Sequence, residues 1–120
     1  MTGWLNDYYD DVDNMRLENW LARHTDNVVV KFGNNPPASG KEEVGGNIGY
    51  FWSTIGGLKH SFVNTFEVDG TTICELAVDY TRKDGSHVTI PCTSFLHREG
   101  DLVDELRVYI DLAPLFAPAA

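Results

Sequence analysis

The chain has 120 residues, enough for one hydrophobic core, and we expect a single domain over residues 1–120. Its formal net charge is −9, which argues against a nucleic-acid partner because phosphate recognition needs clustered Lys and Arg. No basic region precedes an apolar run, and no apolar stretch approaches the ~18 residues of a membrane span, so we expect a cytoplasmic protein without a membrane partner. The two cysteines lack CxxC spacing, which argues against a metal site.

Two helices are predicted at the start of the chain. Apolar residues recur at helical spacing from Trp4 to Val12, and aspartates fill the opposite side. A second helix is expected to begin near Asp13 or Asn14 and to carry His24 on its apolar side. Together the two predict an antiparallel helical hairpin.

A strand and a third helix follow. β-Branched residues predict a strand at 27–32, and turn formers predict a loop at 33–40. Ser39 and Glu42 have the spacing of a capping box and precede an apolar stripe that ends at two consecutive glycines. Glycines inside this helix lower its intrinsic stability and therefore indicate close packing against it. These are Gly45, Gly46 and Gly49.

From Leu58 onward, long strands are separated by Asp-Gly, Asp-Gly and Glu-Gly turns near residues 69, 84 and 99. This pattern predicts a four-stranded antiparallel meander. We expect the first turn to have two residues and the other two to be three-residue loops with a glycine bulge. The predicted class is α+β, with a curved antiparallel sheet wrapped on three N-terminal helices.

These turns sort the strand residues onto two faces. One face is too apolar for exposure to water, and we expect a homodimer that buries it as the outer face of the sheet. It carries Val63, Leu76, Val78, Tyr80, Ile90, Leu96, Leu106, Val108 and Ile110. The other face is expected to line a pocket and carries Asp79, Thr89, Pro91, Thr93, Arg107, Tyr109 and Asp111.

The first hairpin predicts a specific pair of side chains. With a two-residue turn at Asp69-Gly70, His60 lies opposite Asp79, within reach of a shared hydrogen bond. Asp79 and Asp111 would then share one cavity, where like charges resist joint ionisation and leave one acid and one base. Structural roles are the alternatives: Asp111 as a cap after the last strand, and His60 as a surface residue.

With its elements in this order, the chain resembles the SnoaL-like polyketide cyclases of the nuclear transport factor 2-like superfamily. The resemblance spans nearly the whole chain. The resemblance rests on the segments YYDDVD, VVVKFGNNPPASGKEEV, YTRKDG and ELRVYIDLAPLF. It implies a cone-shaped, cystatin-like fold that is usually dimeric.

The resemblance to limonene epoxide hydrolases within that superfamily implies roles for three residues. Asp79 and Asp111 stand where that family has its two catalytic aspartates, and Asn34 matches its water-positioning asparagine. Two positions depart from the pattern: Ala77 replaces an arginine and Phe32 replaces a tyrosine.

Two further families match the chain only in part. Tyr8 matches the oxyanion-hole tyrosine of ketosteroid isomerases, but Phe32 and Thr93 occupy that family's base and acid positions. Scytalone dehydratase is similar in having a histidine near His60, whereas its second histidine corresponds to about Asp79. Fold analogy does not choose among these chemistries.

We therefore expect a cofactor-independent acid–base enzyme acting on a small hydrophobic oxygenated metabolite of polyketide or terpenoid type. The expected reaction is a cyclisation, an epoxide opening or a related proton transfer. The expected catalytic residues are Asp79, Asp111 and His60. The expected substrate-binding residues are Tyr8, Phe32, Asn34, Trp52, Phe62, Thr93, Arg107 and Tyr109. The alternative is a noncatalytic module of the same fold that binds a small molecule or dimerises.

Overall fold

The computed structural model describes residues 3–117 and contains one mixed six-stranded sheet, with strand order β2-β1-β6-β5-β4-β3. The elements are α1 (Gly3–Asp13), α2 (Leu17–Leu21), β1 (His24–Phe32), β2 (Ala38–Ser39), α3 (Lys41–Ser53), β3 (Gly57–Val68), β4 (Thr71–Thr81), β5 (His87–Glu99), β6 (Leu102–Ile110) and α4 (Ala113–Phe116). Strand β1 pairs parallel with β6, and the other neighbours are antiparallel. Within the described part of the chain, no helix is long and apolar enough to cross a membrane.

The helices confirm the predicted order and differ at their ends. α2 is only five residues long, and His24 begins strand β1 instead of lying on the helix. The capping box before α3 is wrong: the N-cap is Gly40 at φ +85°, with no side-chain cap. Ser39 instead pairs with Val29 in the short strand β2, which occupies its backbone in the sheet.

Two of the three glycines in α3 are explained by close contact with α2, as predicted. A Cβ atom at Gly45 would lie 2.9 Å from Cδ1 of Leu21, and one at Gly49 would lie 3.1 Å from Cδ2 of Leu17. Gly46 faces open space, with nothing within 4 Å of its Cβ position. The absence of a side chain at Gly45 and Gly49 therefore lets α2 approach α3, whereas Gly46 has no packing role.

Gly46→Ala is accordingly expected to stabilise the protein by about 0.5–1 kcal/mol, because alanine restricts the unfolded chain and favours the helix. Thermal unfolding should show a rise in Tm of roughly 2–4 °C for a chain of this size. Gly45→Ala is the matched control, since its new methyl group must displace Leu21. An equal gain at both positions would contradict the packing explanation.

The hairpins follow two of the three predicted turns. Asp69 and Gly70 have φ +51° and +79° and form the predicted two-residue turn. The second is a three-residue loop closed by a 2.7 Å hydrogen bond from Arg82 N to Ser86 O. The third turn has two residues rather than three, and the extra residue is instead Asp104, which forms a bulge between the pairs Arg98–Val103 and His97–Glu105.

The strand residues sort onto two faces as predicted, but the helices cover the opposite face from the one expected. Leu76, Val78 and Tyr80 are 0–2% exposed and lie in the core, whereas Asp79 faces outward with its side chain 45% exposed. The apolar stripes of the helices bury the most area against the apolar face, so that face is the inner one. A homodimer through the apolar set is therefore wrong.

Other members of the apolar set confirm this correction. Ile90, Leu96 and Leu106 are buried, and Val108 and Ile110 pack against the core. Val63 alone is open to solvent, at a break in the β3 ladder.

That break moves His60 to the inner face. From the turn to Asn64, β3 keeps the predicted register against β4; beyond it, one extra residue shifts the pairing. His60 then lies opposite Val78, and Lys59 lies opposite Asp79. The predicted opposition of His60 and Asp79 is wrong, because a one-residue bulge exchanges the two faces of a strand.

Candidate active site

A narrow cavity of about 60 Å³ lies between the inner face of the sheet and helices α1, α2 and α3. Its wall is mainly aliphatic and aromatic, with His60, Ser94 and Cys92 among its few polar groups. This volume exceeds the ~10–15 Å³ that a single water molecule needs and holds a few water molecules. It therefore admits a small functional group rather than a whole polycyclic molecule.

His60 forms the main polar contact of this cavity, with Asp13 at the C-terminus of α1. Its Nδ1 lies 2.6 Å from Asp13 Oδ1, and its backbone N–H donates to both carboxylate oxygens at 3.1 Å. The side chains of His60 and Asp13 are 9% and 18% exposed. Three contacts to one carboxylate hold both the ring and the backbone of His60 in place.

This arrangement determines which nitrogen of neutral His60 carries the proton. The carboxylate accepts, so Nδ1 donates and Nε2 keeps its lone pair. Among residues 3–117, no protein group forms a hydrogen bond with Nε2. Tyr9 packs against the ring with a centroid distance of 4.8 Å, which limits its rotation. His60 is thus a fixed imidazole in a largely apolar surrounding.

Hydroxyl groups supply the other polar side of the cavity. The Tyr9 hydroxyl lies beside Ser94 and Cys74, and burial raises the pKa of Tyr9 well above its ordinary value. Burial also raises the pKa of the Cys92 thiol to about 11. These groups therefore remain protonated at neutral pH and serve as donors rather than nucleophiles.

Tyr8 also lines the cavity, but its hydroxyl group is engaged elsewhere. His24 Nδ1 lies 2.8 Å from the Trp20 carbonyl, which only accepts, so Nδ1 carries the proton. The Tyr8 hydroxyl then donates to His24 Nε2 at 2.8 Å. Tyr8 contributes its ring to the wall, and its proton is not directed to a ligand.

Five predicted site residues lie in or beside this cavity. Tyr8, Phe32, Trp52 and His60 line it. Phe62 lies beside it, packed edge-to-face on Tyr9 at 5.3 Å.

The two predicted catalytic aspartates do not share a cavity. Asp79 is on the outer face, where its Oδ2 lies 3.2 Å from His87 Nδ1. Asp111 is exposed and accepts a hydrogen bond from the backbone of Ala113 at 3.0 Å, which is the structural alternative considered above. Asp79 lies outside the cavity because the helices cover the opposite face of the sheet. Asp111 lies outside it because it follows the end of β6.

The remaining predicted binding residues also lie outside the cavity. Thr93 and Tyr109 pair with each other on the outer face. Arg107, on the same face, forms an ion pair with Glu105, in which Nη1 and Oε1 are 2.8 Å apart. Asn34 is exposed in the loop after β1.

Sequence reasoning missed Asp13, Tyr9 and Ser94. The available signal for Asp13 was its spacing: it follows Tyr9 by four residues, so both lie on one side of α1. We assigned the cap of the second helix to Asp13 or Asn14, whereas the partner of Asp13 is 47 residues away in the chain. Within residues 3–117 no three His, Cys, Asp or Glu side chains converge as a metal site.

Comparisons with known proteins agree with this fold. A family model described as a SnoaL-like domain matches residues 5–106. A sequence comparison with curated proteins finds no match.

Three solved structures illustrate the likeness. A nuclear transport factor 2-like protein of unknown function from Burkholderia pseudomallei has TM-score 0.83 and 14% identity, covering 93% of this chain and 91% of its own. A putative SnoaL-like polyketide cyclase from a Jannaschia species has TM-score 0.81 and 14% identity, covering 97% and 91%. An epoxide hydrolase from M. tuberculosis, described as like limonene epoxide hydrolase, has TM-score 0.77 and 11% identity, covering 94% and 84%. At these identities the likeness shows the nuclear transport factor 2-like fold and not a shared reaction.

Proposed function

Because the chain belongs to the SnoaL-like domain family, we propose that it is a cofactor-independent acid–base catalyst of proton transfer at a carbon next to a carbonyl group. One observation carries the proposal: the His60–Asp13 pair, with a 2.6 Å contact, borders an apolar cavity. A histidine oriented by a carboxylate is a common arrangement for a general base.

The proposed step starts from a ketone whose α-carbon meets His60 Nε2. Nε2 accepts the α-proton, and the electrons of the broken C–H bond move onto the carbonyl oxygen as an enolate. Asp13 stabilises the resulting imidazolium through Nδ1–H. The enolate carbon then attacks a second carbonyl of the same molecule, whose oxygen takes the proton back from Nε2. The result is an intramolecular cyclisation; reprotonation at carbon instead gives an isomerisation.

The hydroxyl groups of Tyr9 and Ser94 are proposed to bind the carbonyl oxygen. Both line the cavity that His60 borders, and buried donors stabilise a developing negative charge more strongly than donors in water. The Tyr9 proton is retained because burial raises its pKa. Epoxide opening by two aspartates is not proposed, since Asp79 and Asp111 lie outside the cavity.

Deuterium exchange of a simple ketone tests this proposal without knowledge of the natural substrate. In buffered D₂O, the protein is expected to exchange the α-protons of 2-butanone above the buffer rate, as followed by NMR. Exchange no faster than buffer would favour the alternative, a noncatalytic module that binds a small molecule. The specific observation behind that alternative is the largely apolar wall of the cavity.

A second copy of the chain is the proposed partner, bound through the corrected outer face. On that face Phe66, Ile73, Phe95 and Arg107 form one row across β3 to β6. Phe66 is 54% exposed, and Tyr109 in the next row is 50% exposed. Four strands of about nine residues present roughly 600 Å² in projection, comparable to the ~800 Å² per partner of a stable interface.

Phe66→Glu is expected to convert this dimer into a monomer, because it buries a carboxylate beside Ile73 at the interface of both copies. Light scattering after gel filtration measures the mass directly. Tyr50→Glu is the control, since Tyr50 is 74% exposed but lies on α3, away from the sheet face. A wild-type protein with the mass of one chain would refute the dimer.

A further inference from the structure

A second and larger depression lies outside the cavity. It is a groove of about 590 Å³ between the 33–38 loop, α3 and the C-terminal helix α4. Ligand sites of small molecules usually measure about 300–1,000 Å³. The inner cavity, at about 60 Å³, is far below that range. The groove is therefore large enough for the bulk of a ligand whose reacting group enters the cavity.

The groove and the cavity share part of their walls. Val30, Phe32, Ile48 and Phe51 line both. The rings of Phe32 and Phe51 meet edge-to-face at 5.1 Å. Both side chains are partly buried and belong to the wall that the two compartments share.

The groove has a definite chemistry. Tyr50, Leu112, Phe116 and two consecutive prolines give it a mainly apolar surface, to which Asn35, Asn47 and Thr54 add polar groups. Its charged residue is Glu43, and the whole chain carries a formal charge of −9. An anionic chain would be repelled here, whereas a neutral apolar chain would lose unfavourable contact with water.

We propose, on the premise of the function given above, that the substrate is a neutral, elongated ketone. Its carbonyl end lies in the cavity beside His60, and its apolar chain passes between Phe32 and Phe51 into the groove. The groove is thus the subsite that selects chain length and excludes carboxylates.

A series of methyl ketones tests the chain-length dependence. Binding of 2-butanone, 2-hexanone, 2-octanone and 2-decanone is followed by the fluorescence of Trp20 and Trp52, which line the cavity. Affinity is expected to rise about fourfold for each methylene placed in the groove. Decanoate is expected to bind at least tenfold more weakly than 2-decanone. Equal affinity for all four ketones, or equal affinity for decanoate and 2-decanone, would overturn the proposal.

Two adjacent glutamates provide a matched pair that locates the chain. Glu42 and Glu43 both lie in the first turn of α3 and are exposed, but only Glu43 lines the groove. Glu43→Phe is expected to weaken 2-decanone binding at least fivefold and to leave 2-butanone unchanged, because the ring occupies the path of the chain. Glu42→Phe should leave both ketones unchanged. If Glu43→Phe does not weaken 2-decanone, or if both variants weaken it alike, the chain does not lie in the groove.

The same ketones separate this inference from the proposed function. His60→Gln is expected to lower deuterium exchange by at least ~100-fold and to keep the chain-length dependence of binding. Exchange without chain-length dependence would overturn the groove subsite alone. Chain-length dependence without exchange in the wild-type protein would overturn the catalytic function, and with it the assignment of these ligands as substrate analogues.

Discussion

His60→Gln is expected to lower the α-proton exchange of 2-butanone by at least ~100-fold, the usual contribution of a general base. Glutamine is polar and similar in length, but its amide has no basic nitrogen. The rate is measured by NMR in D₂O at saturating ketone. An unchanged rate would show that His60 is not the base.

Asp13→Asn separates orientation from charge. The amide oxygen still accepts from Nδ1–H, but the negative charge that stabilises the imidazolium is gone, so we expect the rate to fall by roughly 10–100-fold. Affinity for 2-butanone, measured by tryptophan fluorescence, should not change, since Asp13 acts through His60 as a positioning residue.

Asp79→Asn is the matched control for both variants. Asp79 also pairs with a histidine, His87, but on the outer face with 45% of its side chain exposed. Its substitution is expected to leave the exchange rate within about twofold. A loss at Asp79 equal to that at Asp13 would reject the placement of the site on the inner face.

The free energy of unfolding is expected to fall by about 3 kcal/mol between pH 6.5 and pH 4, because of His24. His24 is completely buried, and burial lowers its pKa from 6.5 to about 4. The unfolded state therefore binds a proton at about pH 6.5, whereas the folded state binds one only near pH 4. The stability that depends on neutral His24 is complete above pH 6.5 and is lost as the pH falls through this window.

Urea unfolding at several pH values measures this loss. His24→Gln is expected to be less stable at pH 7 but to vary less between pH 6.5 and 4, since glutamine does not titrate. His87→Gln is the control, because the His87 side chain is 59% exposed. An equal pH dependence in the His24 and His87 variants would show that His24 is not the responsible group.

Asp11 acts at lower pH than His24. Burial opposes the ionisation of Asp11, but hydrogen bonds from Arg23 and Arg16 outweigh burial and keep its pKa below the ordinary value.

Much of the fold was predictable because its signals are local. The helical spacing from Trp4 to Val12 and the turn at Asp69-Gly70 depend on neighbouring residues only, and both are confirmed. The membership of the two sheet faces was also predictable outside the first part of β3, where the bulge at Val63 exchanges the faces, since side chains alternate along a strand.

The candidate site was predictable only in part. His60, Tyr8, Phe32 and Trp52 line the cavity, but the register that assigned His60 to the site, opposite Asp79, is wrong. Asp79 was misplaced, because we reserved the polar face for the pocket and left the apolar face for a partner.

The sequence by itself determined the order of the three N-terminal helices, β1 and the four-stranded meander, two of the three turns, and the grouping of most strand residues onto two faces. Only the tertiary structure decided which face the helices cover, since that depends on which packing buries more apolar area. It also decided the bulge before Asn64, which turns His60 inward, and the meeting of His60 with Asp13 across 47 residues. These outcomes result from competition among distant contacts, and no local pattern encodes them.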